Sequence, residues 1–297
     1  MPLRDFALLA GVCLVWALNN IISKLVVSDL AAPPLFYAAV RFALVAAITL
    51  PWLLPAPRPL WRVLVVALLM GGGNFAFLFI GLQTATPSAA AVVLQLGVPM
   101  TTLLSWVMLG ERLRWRRGIG IALTFGGAML VMWNPGGFAL STGLIYIMLA
   151  AFLGSLGAVM MKQVEGVKPL QFQAWVGFSS VFPLTLLSLY FEPGAPQAGI
   201  DAGWPFVAAV VFSAVVVSVI AHTAYYGLIQ RHDASLISPL TLMTPLATIL
   251  LGVVVTNDPF GWRMAVGTVL ALAGVLIIAL RPNRVMPLLL AVRNRDQ

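Results

Sequence analysis

Charge is what this sequence has least of: Asp, Glu, Lys and Arg make up 9% of its 297 residues, against 61% hydrophobic. A soluble domain carries roughly 25% charged residues, so this chain has too little charge to cover itself with a water-facing surface. Acids are scarcer still, 9 against 17 bases, giving a formal net charge of +8. The bases are spread through short segments between apolar runs, so nucleic acid is not expected as a partner. Cysteine occurs once, as Cys13 inside the first apolar run; it forms no intramolecular disulfide and is expected simply to pack. The two histidines, His222 and His232, are separated by a turn, and no metal-ligand cluster, phosphate-cradling loop or Ser/His/Asp grouping accompanies them. Gly71-Gly72-Gly73 has no Lys-Ser/Thr after it and lies within an apolar stretch. No cofactor and no metal are expected. A membrane enzyme is disfavoured, because no acid–base or nucleophile set is present.

What is abundant is apolar sequence, with a mean hydropathy of +1.00. Many runs reach the ~17–25 residues that cross the hydrocarbon layer as a helix. A barrel would instead alternate polar and apolar residues. Reading the runs between Pro, Gly and Asn breaks gives ten spans: 5–27, 34–54, 61–83, 88–109, 116–134, 141–162, 170–190, 204–228, 236–255 and 262–280. The breaks include Pro33-Pro34, Pro55 to Pro59, Pro87, Asn134-Pro135-Gly136-Gly137, Lys168-Pro169, Pro193 to Pro196 and Asn257-Asp258-Pro259. Only the connection near 191–203 is long, and it reads as a loop. The first span follows Arg4 as a signal peptide would, but Asn19, Asn20 and Lys24 make no small-residue cleavage site, so a retained helix is expected.

All the basic residues except Lys24, Arg41 and Arg263 fall on one side of this arrangement, while the loops of the other side hold acids at Asp29, Glu192, Asp201 and Asp258. The positive-inside rule then makes both termini cytoplasmic.

The chain is also doubled. Gly81, Leu82, Pro99, Thr102 and Leu104 recur 146 positions later; Glu111 (as Asp258), Trp115, Arg116, Gly120 and Gly127 recur 147 positions later. An odd number of spans per copy turns the second upside down. The expected fold is an all-α integral membrane protein, ten transmembrane helices in two inverted five-helix repeats. Residues 1–134 form the first repeat, 141–280 the second, and 281–297 a basic cytoplasmic tail. In such folds the substrate site lies near the midplane where the halves meet.

Candidate site residues are the polar and kinking ones at that depth. Pro99 and Pro245 each remove the amide that would bond the carbonyl four residues earlier, those of Gln95 and Thr241, which are themselves equivalent. The expectation is a pair of kinked helices with free carbonyls and polar side chains facing a wet cavity. Simple helix packing, with a neighbouring hydroxyl on each carbonyl, is the alternative. Trp16, Asn19, Asn20 and Ser23 share one helix face, either as interhelical glue or as a substrate-facing wall. Gly71 to Gly73, with Gly72 as candidate hinge, precede Asn74 and Phe77 on a possible cavity face. Ser218, His222 and Tyr225 lie on one stripe of the eighth span with Tyr226 beside it, and Ser238, Thr241 and Thr244 come from the ninth. Lys24 and Arg41 either snorkel or bond carbonyls, and Arg41 has the further option of attracting a carboxylate.

None of the acids, at 5, 29, 111, 165, 192, 201, 233, 258 and 296, falls in the centre of a span. Proton- and sodium-coupled carriers commonly use a buried carboxylate. Coupling through Asp or Glu is therefore not expected, which leaves movement down the substrate gradient or coupling through His222. A cation- or drug-effluxing carrier would want a cavity acid, and a phosphorylated-sugar carrier several bases at depth. A channel would show a continuous polar stripe.

Leu109-Gly110-Glu111-Arg112-Leu113 with Arg116, Gly120 and Gly127 resembles the signature of EamA-type members of the drug/metabolite transporter superfamily. Pro245 through Asp258, Trp262, Gly267 and Gly274 is similar to the same signature in its second domain. The departure is Asn257-Asp258, where the second copy usually has Gly-Glu. The resemblance covers essentially the whole chain. It implies alternating access through a central cavity built mainly by spans 1, 3, 4, 6, 8 and 9, in a bacterial inner membrane. Among these proteins the chain is most similar to YddG-type exporters of amino acids, including aromatic ones. The resemblance thus implies amino acids as substrate, and the candidate contacts read from the spans are Trp16, Asn19, Asn20, Asn74, Phe77, Gln95, His222, Tyr225, Thr241 and Thr244. Exporters of drugs, sugars or nucleotide-like compounds are the alternative. The bilayer is the expected surrounding, and the expected state is a monomer or weak dimer.

Overall fold

A computed structural model describes residues 1–111, 113–133, 141–164, 166–232, 237 and 239–280, without the side chains at 226, 229 and 230. Arg112, Glu165, Asp233, Ser238, the Asn134–Gly137 break, the Tyr226 side chain and the basic tail 281–297 lie outside the described residues. The described residues are all-helical, with no strand among them.

Among the described residues, eight helices are long and apolar enough to cross a membrane: α1 (Leu3–Asp29), α2 (Pro34–Trp52), α3 (Leu60–Thr84), α4 (Pro87–Leu109), α6 (Thr142–Met161), α7 (Pro169–Phe191), α8 (Gly203–Tyr225) and α10 (Trp262–Ala279). Two more fall at the fifth and ninth predicted spans. In α5 (Trp115–Met132) the leading Arg116 and Arg117 dilute an otherwise apolar helix. α9 (Met243–Val255) follows a turn at Thr241–Leu242 that is the equivalent of the Gln95–Leu96 turn inside α4, and Pro239 and Leu240 before it are also helical.

The helix starts follow from their residues. Prolines open α2, α4 and α7 in the first turn, where the missing N–H has no intrahelical partner to lose. The Thr86 hydroxyl accepts from the Ala89 amide to cap α4. Gly110 ends α4 at φ +66°, a left-handed conformation that suits glycine. The connection near 191–203 is not wholly a loop. Gly194, at φ +82°, and Pro196 launch a short helix, Ala195–Asp201, inside it.

Two crossings show that the halves are opposed. Gly120 faces the Gly274 carbonyl and Gly127 faces that of Gly267, so α5 and α10 cross antiparallel. Gly120 is the equivalent of Gly267, and Gly127 of Gly274, so exchanging the two halves reproduces the same pairing, as a two-fold relation requires. α2 and α7, also equivalent, pack on each other, with Gly177 against the backbone of Ala46. The remaining contacts obey the same relation: α1 packs on α8 and α9, and α6 packs on α3 and α4. Glycine at these crossings lets backbones approach without side chains between them, the usual basis of helix association in lipid.

Equivalent helices α3 and α8 share a further feature. Each contains π-helical turns, Leu69–Gly73 and Phe212–Ala221, and each resumes α-helix at a polar residue, Asn74 or His222. Such turns recur at functional sites because they rotate the following side chains. Both point the chain's polar residues inward here.

Candidate functional site

A cavity of about 570 Å³ enters the bundle from the end where α4 finishes and α5 begins. Its mouth holds Ser105, Glu111, Arg117 and Lys162; its depth is walled by Asn74, Gln95, Gly154, Ser155, Tyr225 and Thr241. A smaller pocket of about 180 Å³ continues beyond it, sharing Asn74 and Gly154 and adding Phe42, Phe75, Gln173 and His222. The opposite end of the bundle is closed. There the Lys24 ammonium donates to the Leu82 and Gln83 carbonyls, Phe36 and Phe206 stack at 5.9 Å, and Asp258 is joined to the start of α4.

Asn74, Gln95, Tyr225 and Thr241 line the larger cavity and His222 the smaller, so these predicted residues do converge. Asn74 is held by its amide, which donates to the Ala150 carbonyl at 2.7 Å. His222 Nδ1 lies 2.7 Å from the Val217 carbonyl, which makes Nδ1 the protonated nitrogen and fixes the ring. Trp16 stands one layer behind, its ring 5.3 Å from His222 and 4.9 Å from Tyr225.

Other candidates sit elsewhere, and for the first-span amides the structure shows the interhelical role. Asn19 and Asn20 do not line either space. Asn19 Oδ1 accepts from the Ser213 hydroxyl, itself paired with Tyr37, and Asn20 donates to Thr248 at 3.4 Å. Both amides join α1 to α8 and α9, the packing role of such groups in membranes. Phe77 stacks on Tyr146 at 6.1 Å, outside the lining. Thr244 also lies outside it; its carbonyl accepts the Thr248 hydroxyl. Gly72 sits in the α3 π-helical turn and donates its amide to Ser180 of α7 at 2.8 Å.

The kinks are symmetric, but the carbonyls are not free. The Gln95 carbonyl accepts from the Val98 amide at 3.1 Å, and that of Thr241 from the Thr244 amide at 3.0 Å. Each helix tightens by a three-residue bond just before its proline, which satisfies the orphaned oxygen and keeps the bend.

Several lining groups escaped the sequence reading. Ser155 donates to the Gly97 carbonyl and so joins α6 to the kink of α4. Gln173 is 5% exposed and walls the inner pocket from α7. Gln173, the deeper of two amides (with Gln171) in that helix, was the available signal. Lys162 and Glu111 pair at 2.9 Å at the mouth; both are about half exposed, so the pair adds little stability. Arg41, expected to snorkel or bond carbonyls, is fully buried. Among the described residues, Glu111 at the mouth is the one acid in either lining.

The EamA-like transporter family matches the chain twice, over residues 5–133 and 141–280. A protein of Salmonella typhimurium named "Probable amino-acid metabolite efflux pump" is 27% identical, covering 93% of this chain and 95% of its own. An Escherichia coli protein of the same name is 24% identical over the same shares. An uncharacterized transporter of Bacillus subtilis, YvbV, is 26% identical, with 93% and 91% covered. One solved crystal structure superimposes with a TM-score of 0.60 at 22% identity, covering 93% of this chain and 96% of that one, and shows the same fold.

Proposed function

Because the chain belongs to the EamA-like transporter family, we propose that it exports small neutral metabolites, amino acids including aromatic ones, across a bacterial inner membrane. The observation that carries this reading is the cavity itself. It is open at one end of the bundle, closed at the other, and ends at uncharged polar groups between aromatic rings. Tyr225, Phe75 and Phe42 suit an apolar side chain, while Asn74, Gln95, Gln173 and His222 offer donors and acceptors to a polar end. The names of the Salmonella and Escherichia coli relatives favour amino-acid metabolites among such substrates.

Transport proceeds by alternating access, the open end being cytoplasmic together with both termini. The inverted halves give the opposite state the same local contacts in exchanged roles. Proton coupling through a buried carboxylate is not part of the mechanism, because the acid in the lining sits at the mouth.

The test is uptake and counterflow of a panel of labelled amino acids, sugars and organic cations in proteoliposomes, with and without imposed ion gradients. Amino acids should exchange, aromatic ones included. Movement of sugars or cations alone would overturn the substrate assignment, and an amino-acid flux without counterflow would point to a channel. A pH-gradient requirement that survives His222→Ala would overturn the coupling statement.

A further inference from the structure

Among the described residues, Arg41 is a fully buried cation whose environment the packing does not explain. It is wholly buried in α2. Its Nε and Nη2 both donate to the Ser218 hydroxyl, at 3.3 and 3.0 Å, and Nη1 is buried with no partner among the described residues. No carboxylate of the described residues pairs with it. Its remaining neighbours are rings: the guanidinium carbon lies 4.1 Å from the centre of Phe75, 5.6 Å from Phe42 and 5.8 Å from Phe79. A buried cation without an anion is costly, and replacement by a well-packed apolar residue is often neutral or stabilising. Within a membrane such a residue marks a substrate or ion path.

Its position says which path. Phe42 and Phe75 are also walls of the inner pocket, and His222 of that pocket is one helical turn beyond Ser218. The guanidinium therefore lies behind the Phe42 and Phe75 walls of the pocket, on the side of the bundle where Tyr37, Ser213 and Asn19 are linked.

We propose that Arg41 is the carboxylate-binding station of the transport path, taking the substrate's carboxylate through its unpaired Nη1 once Phe75 turns aside. Ser218 holds the fork in place, and Phe75 covers the charge while the station is empty. The substrate class is then a zwitterion or acid with a free carboxylate rather than any neutral metabolite, which sharpens the amino-acid reading and rests on it for transport.

Two measurements on the full-length protein in nanodiscs and proteoliposomes decide the matter. The first is thermal stability of the wild type and Arg41→Met with acetate, benzoate, phenylalanine, phenylalaninamide or chloride. Without additive, Arg41→Met should melt no lower than the wild type. Saturating phenylalanine and benzoate should raise the wild-type midpoint by about 3 °C or more and leave Arg41→Met unmoved. The second is transport: the wild type should prefer phenylalanine to its amide, and Arg41→Met should lose the preference, with uptake of the acid falling about 30-fold or more. Arg41→Lys, which keeps the charge but not the fork, should recover part of both effects. The proposal is overturned if Arg41→Met keeps the preference for the acid. It is equally overturned if Arg41→Met melts lower and loses acid and amide uptake alike, as a structural role predicts, or if chloride stabilises the wild type and carboxylates do not. Should the wild type carry no amino acid at all, the transport reading fails, and the melting series with benzoate and acetate alone decides the site.

Discussion

Asp258 and Ser88 join the two halves of the protein: the Ser88 amide of the first repeat donates to Asp258 Oδ2 of the second at 2.8 Å. The other carboxylate oxygen takes the Thr256 hydroxyl at 2.6 Å, and Gly252 leaves no room beside them, since a Cβ there would collide with Ser88 and Asp258. A carboxylate on the first amides of a helix is favoured by both the unpaired N–H groups and the helix dipole. The motif acid of the second repeat is thus a cap on a helix of the first, at the closed end of the cavity.

Asp258→Asn keeps a hydrogen-bond acceptor and loses the charge, and should lower stability by about 1 kcal/mol. Asp258→Ala loses the cap as well and should cost about 1–2 kcal/mol. Both should make a cysteine placed at Gln83 more reactive to an impermeant thiol reagent, because the closed end is held less firmly. Unchanged labelling in Asp258→Ala, with the protein folded, would leave this contact without a role in closure.

The α5–α10 crossing predicts a contrast among glycines of one helix. A Cβ at Gly127 would lie 2.6 Å from the Ala271 backbone nitrogen, whereas Gly118 and Gly126 have nothing within 4 Å. Gly127→Val should destabilise by about 1–3 kcal/mol or prevent assembly, while Gly118→Ala and Gly126→Ala stay within about 0.5 kcal/mol. Melting midpoints in one detergent check it, and equal midpoints for Gly127→Val and Gly126→Ala would show that the backbones are not so close.

Pro99 and Pro245 hold equivalent bends whose carbonyls are already satisfied. Their role is then the shape of the helix rather than a vacant acceptor. Pro99→Ala or Pro245→Ala permits a straight helix and should slow exchange about tenfold while changing substrate affinity far less, since a conformational step and not a contact is affected. Counterflow rates against half-saturation concentrations separate the two. A double variant exchanging at the wild-type rate removes the gating role.

How much of this the sequence reveals depends on whether the signal is local. Apolar runs and their Pro and Gly breaks are local, so the helices fall near their expected positions, and Pro99 and Pro245 mark their own kinks. The helix at Ala195–Asp201 is less visible, because a polar stretch hides a proline-started helix. For the candidate site, polarity at depth picks out Asn74, Gln95, Tyr225, His222 and Thr241, which the fold gathers on cavity walls. The same signal cannot separate water from protein as a partner, which is why Asn19 and Asn20 read as cavity residues and prove to be joints between helices. Arg41 depends on Phe75 and Ser218, residues far away in the chain, so its burial is a tertiary fact that no run or spacing announces.

Gly154 gives the last prediction. It borders both cavities, and a Cβ there would lie 2.8 Å from the Asn74 amide nitrogen, the group that the Ala150 carbonyl holds in place. Any side chain at 154 therefore moves Asn74 or fills the neck between the two spaces. Alanine should be met by a small shift of Asn74 and reduce transport a few-fold. Leucine adds three further carbons to a site bordered by open space as well as by Asn74, so the strain is relieved into the cavity and the stability loss should stay within about 1–3 kcal/mol. Transport should nonetheless fall about 100-fold or more, because misplacing or blocking a path costs far more than its local energy suggests. Stability and flux are thus expected to separate. A Gly154→Leu protein that is folded and transports at more than half the wild-type rate would mean that substrate does not pass this neck.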